Sequence, residues 1–198
     1  MKPHQIKVRA LTAGALLSTL TGCASFQGQQ LQPVKQFPQT QTKKSVDIDV
    51  AYAALLNGER TTMFQKTAEK GLEKNCVKRM KKSGMFGEVA RKLANPDLKV
   101  QVSLVDEGEV DLGEASLTGL TLYLFPSSAT DTLHLRAKVI DMRTGQRRDI
   151  QLTDSVTMWQ QILLLPLLTF KSPPYEVNKC VNTIFDNMCV EIKRTGML

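Results

Sequence analysis

Between residues 98 and 156 the chain passes through repeated period-two alternation with no helix-period stretch between the runs, and this constrains its fold more than any other feature. Leu98, Val100, Val102 and Leu104 alternate with Lys99, Gln101 and Ser103, and Leu133, Leu135, Ala137 and Val139 alternate with His134, Arg136 and Lys138. Successive side chains of a strand point to opposite faces, so these runs read as half-buried strands. Residues 120–125 add a further predicted strand, stopped by Pro126. The tract from Asp141 to Gln146 reads as a hairpin connection into Ile150 and Leu152. Strands that succeed one another without crossover helices pair antiparallel, so a largely antiparallel sheet is expected.

The flanks supply the rest of the fold. Residues 45–53 alternate as Val46, Ile48, Val50 and Tyr52 against Asp47, Asp49 and Ala51, and a short strand is expected at 86–90 before the turn at Asn95-Pro96-Asp97. A helix is predicted from near Thr62, where Gln65 completes a capping-box spacing, to Gly84. Within it Phe64, Ala68, Leu72, Cys76 and Met80 recur every four residues, and Lys66, Lys70, Lys74, Lys78 and Lys82 recur two positions later. Two positions are about 200 degrees of rotation, so one face is core and the opposite one a lysine ridge. A second helix is predicted from near Pro174, with Val177, Cys180, Val181, Ile184, Phe185, Met188, Cys189 and Ile192 at three-and-four spacing. The expected fold class is α+β: a largely antiparallel sheet of five or six strands covered on one face by two helices.

The N-terminus carries an address. Lys2, Lys7 and Arg9 precede an uncharged apolar run from Ala10 to Leu20, the layout of a secretory signal, and the run is too short to span a bilayer as a helix of roughly 20 residues. Leu20, Thr21, Gly22 and Cys23 follow it directly. These four residues match the lipobox at every position, and the segment resembles the signal peptide of bacterial lipoproteins. That resemblance implies cleavage before Cys23, a diacylglycerol on its sulfur, and a fatty acyl group such as palmitate on its new amino group. Residue 24 is Ala rather than the retention-signal Asp. The resemblance therefore implies the periplasmic face of the outer membrane, held by a lipid anchor.

Three boundaries follow: a signal peptide over 1–22, a lipidated cysteine with a flexible Gln- and Pro-rich tether over 23–44, and a periplasmic α+β domain over 45–198. The tether is expected because its few large apolar residues bury too little surface to offset their ordering entropy. Removing residues 1–22 takes away three basic groups and no acids, leaving 23 basic against 19 acidic residues and a net charge of +4. That modest excess, on an exported chain, argues against a nucleic-acid partner. In its succession of helix, short strand and hairpin-rich sheet the mature domain is similar to small envelope-assembly and secretion lipoproteins, including the curli-secretion lipoprotein type.

Catalytic chemistry finds little purchase. The two histidines are His4, in the signal, and His134, which alternates onto the polar face of a strand beside Arg136 and Lys138. No G-x-S-x-G, no H-E-x-x-H and no phosphate-binding glycine loop occurs, and Cys76, Cys180 and Cys189 lack zinc-ligand spacing, so no cofactor or metal is assigned. The acids Asp106, Glu107, Glu109, Asp111 and Glu114 form a cluster read as a solvated connection, a calcium site or a docking surface for a basic partner. The three mature-domain cysteines are either buried thiols or the source of a disulfide joining Cys76 to Cys180 or Cys189, since an exported protein meets oxidising conditions.

Residues 158–170, MWQQILLLPLLTF, hold no charge, and Pro166 interrupts any helix through them. The segment is either core or an exposed contact for a membrane or partner, using Trp159, Ile162, Leu163, Leu164, Leu165, Leu167, Leu168 and Phe170. The expected function is non-enzymatic: a binding or assembly module for an envelope or secretion complex, with an envelope protein or a second copy as partner. The alternative is a periplasmic carrier of a lipid or other apolar ligand, with Leu163 to Leu168 lining its pocket.

Overall fold

The computed structural model describes residues 23–28, 30–62, 65–122, 124–161, 163–164 and 172–198. Its strands are β1 (Cys23–Gln27), β2 (Val46–Leu56), β3 (Glu59–Thr61), β4 (Val89–Ala90), β5 (Leu98–Val110), β6 (Ser127–Asp141) and β7 (Arg147–Gln160). Its helices are α1 (Gln65–Ser83), α2 (Leu112–Leu120) and α3 (Pro173–Arg194). The fold is α+β, with a seven-stranded mixed sheet in the order β1-β7-β6-β5-β2-β3, and β4 paired to β2.

Most neighbours in the sheet are antiparallel, in line with the hairpin-rich middle of the chain. The exception is β2 beside β5, a parallel pair in which Val46 faces Leu98 and Leu56 faces Gly108. The helix-period run of α1 is the cause. It carries the chain back to the starting end of β2 before β5 begins, the connection that a parallel pair needs. β4 pairs parallel to β2 for the same reason.

One face of the sheet carries the core. Val46, Ile48 and Val50, then Leu98, Val100, Val102 and Leu104, then Leu133, Leu135, Ala137 and Val139, are all buried in one cluster. From α3 come Cys180, Ile184, Phe185, Met188, Cys189 and Ile192, and from α1 only Cys76 and Met80. The lysine ridge of α1 is exposed at all five positions. The two helices lock together through polar pairs: Asn75 Nδ2 donates to Asn182 Oδ1 at 3.0 Å, and Arg79 Nε donates to Asp186 Oδ1 at 2.8 Å, with a second contact to Oδ2.

The structure corrects three expectations. Among the described residues, 120–122 and 124–125 form no strand. Asp111 caps α2 instead, its carboxylate accepting from the N–H groups of Gly113 at 2.8 Å and Glu114 at 3.0 Å. β5 and β6 already pair with each other out to Val110 and Ala129, which leaves an alternating run beyond them no strand to join. A third helix therefore joins the two predicted.

Strand number also exceeds the expected five or six. β3 arises from the Asn57-Gly58 turn, where both residues take positive φ of 49° and 81°. That conformation suits a two-residue hairpin, and the dipeptide is a strong signal for one.

Finally, residues 23–44 are not a free tether. β1 pairs antiparallel with β7, Cys23 opposite Gln160 and Gln27 opposite Val156. Leu31 and Phe37 pack against the core, Asn187 Nδ2 donates to the Gln32 carbonyl at 3.0 Å, and Thr40 Oγ1 donates to the Met85 carbonyl at 2.8 Å. Composition counts apolar residues; it does not reveal that two of them meet a prepared surface.

Candidate functional site

The helix-covered face of the sheet changes character along its length. Past Leu104 and Leu133 the inward positions become Asp106, Asp131 and Asp154, on three neighbouring strands. Tyr52 Oη donates to Asp106 Oδ2 at 2.9 Å, while Asp106 Oδ1 is buried with no hydrogen-bond partner among the described residues. Burial raises the Asp106 carboxyl above its ordinary range, partly opposed by the Tyr52 hydrogen bond. Burial, and then the charge of Asp106, push Asp131 up to about 6. Tyr52 is pushed up as well, by burial and by the same carboxylate. Two neighbouring carboxyls out of water resist ionising together.

Above Asp106, residues of α1 and α3 border a cleft of about 510 Å³. Asp106, Tyr52 and Leu104 form its floor, Leu72 and Val181 its apolar walls, and Asn75, Asn178 and Asn182 sit among its polar groups with Lys78. An apolar wall with a few convergent polar groups is the usual make-up of a small-molecule site. Sequence reasoning placed Asp106 in an acidic loop cluster and missed the cleft. The signal available was an Asp at an inward position of a strand, continuing the phase of Val100, Val102 and Leu104.

The other acids of that cluster separate. Glu107 turns to the opposite face, Asp111 caps α2, and Glu109 and Glu114 border a shallow depression with Asn57 and Ser128. Among the described residues no group of three His, Cys, Asp or Glu side chains converges as a metal site. His134 lies on the outer face, its Nδ1 3.1 Å from Thr153 Oγ1 and its Nε2 3.7 Å from Glu107 Oε2. These three stand side by side on an exposed sheet surface.

Cys76, Cys180 and Cys189 are buried free thiols in the fold. Burial raises all three, with Cys180 and Cys189 at about 12. Cys76 is near enough to Cys189 to feel its charge, whereas Cys180 sits beside Asp154. Of the expected lipidation and contact residues, Cys23 is half-buried at the start of β1, Trp159 and Leu163 are exposed, and Leu164 is half-buried. Leu20, Thr21, Gly22, Ile162, Leu165, Leu167, Leu168 and Phe170 lie outside the described residues. Among the described residues no helix is long and apolar enough to cross a membrane.

No protein-family model matches the chain. No curated protein matches it either. Among solved structures it is similar to a PelC dodecamer from Paraburkholderia phytofirmans, at 11% identity over 83% of this chain and 95% of that one, with a TM-score of 0.36. It is also similar to a neuraminyllactose-binding hemagglutinin homolog from Helicobacter pylori, at 11% identity over 83% and 90% of the two chains and a TM-score of 0.38. Likenesses this distant transfer no residue role.

Proposed function

We propose that this chain is a lipoprotein held on the periplasmic face of the outer membrane through Cys23, acting as a non-enzymatic binding or assembly module for an envelope or secretion complex. The observation that carries the reading is that one residue belongs both to the lipobox and to the sheet. Cys23 closes the lipobox in sequence, and the same residue opens β1 in the fold. The residue that would carry the lipid is thus itself paired into the sheet, opposite Gln160. Anchoring holds the domain near an envelope protein or a second copy and raises the effective concentration of the pair without new contacts. Residues 158–170 and the polar outer face of the sheet are the contact surfaces this reading assigns.

Two measurements test it. Radiolabelled palmitate should enter the wild-type protein in cells and fail to enter Cys23→Ser. A photo-crosslinking side chain at Arg136, on the outer face, should capture one defined envelope protein in the same cells. A labelled protein that yields no crosslink to any protein removes the assembly role.

The cleft supports a second reading, a carrier of a lipid or other apolar ligand. Among the described residues its apolar lining includes Leu72, Leu104, Val177 and Val181. Lipid recovered in stoichiometric amount from the purified chain, and lost on Val181→Trp, would favour it.

A further inference from the structure

Exposed apolar side chains gather at one end of this molecule. Leu112, Leu117, Leu120, Leu124 and Phe125, in α2 and the turn after it, are all exposed, Leu120 at 84%, and Trp159 is exposed at the end of β7. The strand register brings Cys23 to the same end. Val110 stands opposite Ala129, Ser127 opposite Gln160, and Gln160 opposite Cys23. No charged residue occurs from 115 to 130 or from 155 to 170. The far end of the sheet, by contrast, carries Lys44, Lys99, Arg143, Arg147 and Arg148. Apolar residues scattered singly over a surface are ordinary, but six gathered at one end, with charge beside them only at Asp111 and Glu114 in the start of α2, mark a contact.

We infer that this end of the sheet is a membrane-seating surface, in which α2, its following turn and Trp159 enter the headgroup layer of the phospholipid bilayer that receives the Cys23 acyl chains. The inference rests on Cys23 being acylated. Its occupant is set by geometry. β1 pairs from Cys23 onward, so no slack separates anchor and domain. Trp159 opposes Ala24, the next residue, which puts its backbone within roughly 6 Å of the acylated residue at ordinary strand spacings. The start of β6 is two strand spacings away, roughly 10 Å. Chains leaving Cys23 into a bilayer therefore draw this end to the surface, where tryptophan and leucine are the side chains that headgroup and upper acyl layers accept. The seating fixes the orientation of the whole domain: the basic end points away from the bilayer.

Trp159 is the only tryptophan in the chain and so reports on its own position. The full-length lipidated protein is reconstituted into vesicles of phosphatidylethanolamine and phosphatidylglycerol, with and without lipids brominated on their acyl chains. Flotation of the protein with the vesicles reads the anchor, and loss of tryptophan emission in the brominated vesicles reads the seating. The expected result is flotation with most of the Trp159 emission lost. Leu120→Glu combined with Leu124→Glu, both at exposed positions, should float equally and recover that emission. A protein that floats with Trp159 unquenched overturns the inference while leaving the anchor intact, and so does equal quenching in the double variant. Burial of the apolar end between two copies would give the first of these results, with a change of oligomeric state in the variant. A protein that fails to float overturns the anchor itself.

Discussion

Asp131 illustrates how a single residue carries the tension of this fold. Its carboxyl points to the helix-covered face beside Asp106, and its pKa of about 6 stands above the ordinary 3.8. Below about pH 4 the group is protonated whether the chain is folded or not, and it costs nothing. Between about 4 and 6 the unfolded chain releases the proton and the folded one keeps it, so the folded state binds more protons and stability falls as pH rises. Above 6 the penalty is complete and constant. Asp131→Asn removes this contribution. The melting temperature of the variant relative to wild type should therefore rise across pH 4–6 and then level off, as read by thermal unfolding in matched buffers. A gap that stays constant over that range contradicts the account. None of this was legible in the chain, where Asp131 sits among threonines as an unremarkable polar position.

At the scale of elements, α1 and α3 are joined by charge as well as by apolar contact. α1 buries only Cys76 and Met80 completely, whereas α3 buries most of its inner face. Arg79 and Asp186, both largely shielded from solvent, fasten the pair together. Removing one partner of a buried pair strands the other charge, so Arg79→Met should cost about 3–5 kcal/mol, measured from the denaturant midpoint. Arg79→Met combined with Asp186→Leu should recover most of that loss, because no lone charge remains buried. Both helices were legible from their three-and-four spacing. The short α2 was hidden by the alternation of 120–125, although Asp111 with Glu114 three residues on was a capping signal in plain view.

Over the whole molecule, the docked N-terminal segment changes what the proposed anchor at Cys23 would do. A flexible tether would let the domain explore a wide zone, whereas β1 on the sheet edge would tie the proposed lipid attachment to the fold. Amide hydrogen exchange should show the β1 positions bonded to β7 protected at a level near that of the neighbouring β7 amides, since exchange in paired strands requires opening. Exchange at the rate of free peptide over Cys23–Gln27 contradicts the docking. The polarity of the molecule belongs to this scale too. Apolar α2 and Trp159 share an end with Cys23, and the basic residues around the Asp141–Gln146 turn occupy the other.

By itself the sequence determined strand and helix periodicity, the inner face of α3, the solvated lysines of α1 and the resemblance of residues 20–23 to a lipobox, because each is written in residues close together along the chain. Only tertiary structure decided that β2 and β5 run parallel, that 23–44 is docked, that Asp106 lies on the floor of a cleft with Asp131 near it, and that one end gathers the exposed apolar side chains. Those outcomes depend on register between strands far apart in sequence, and register is fixed by packing across the whole sheet rather than by any local run of residues.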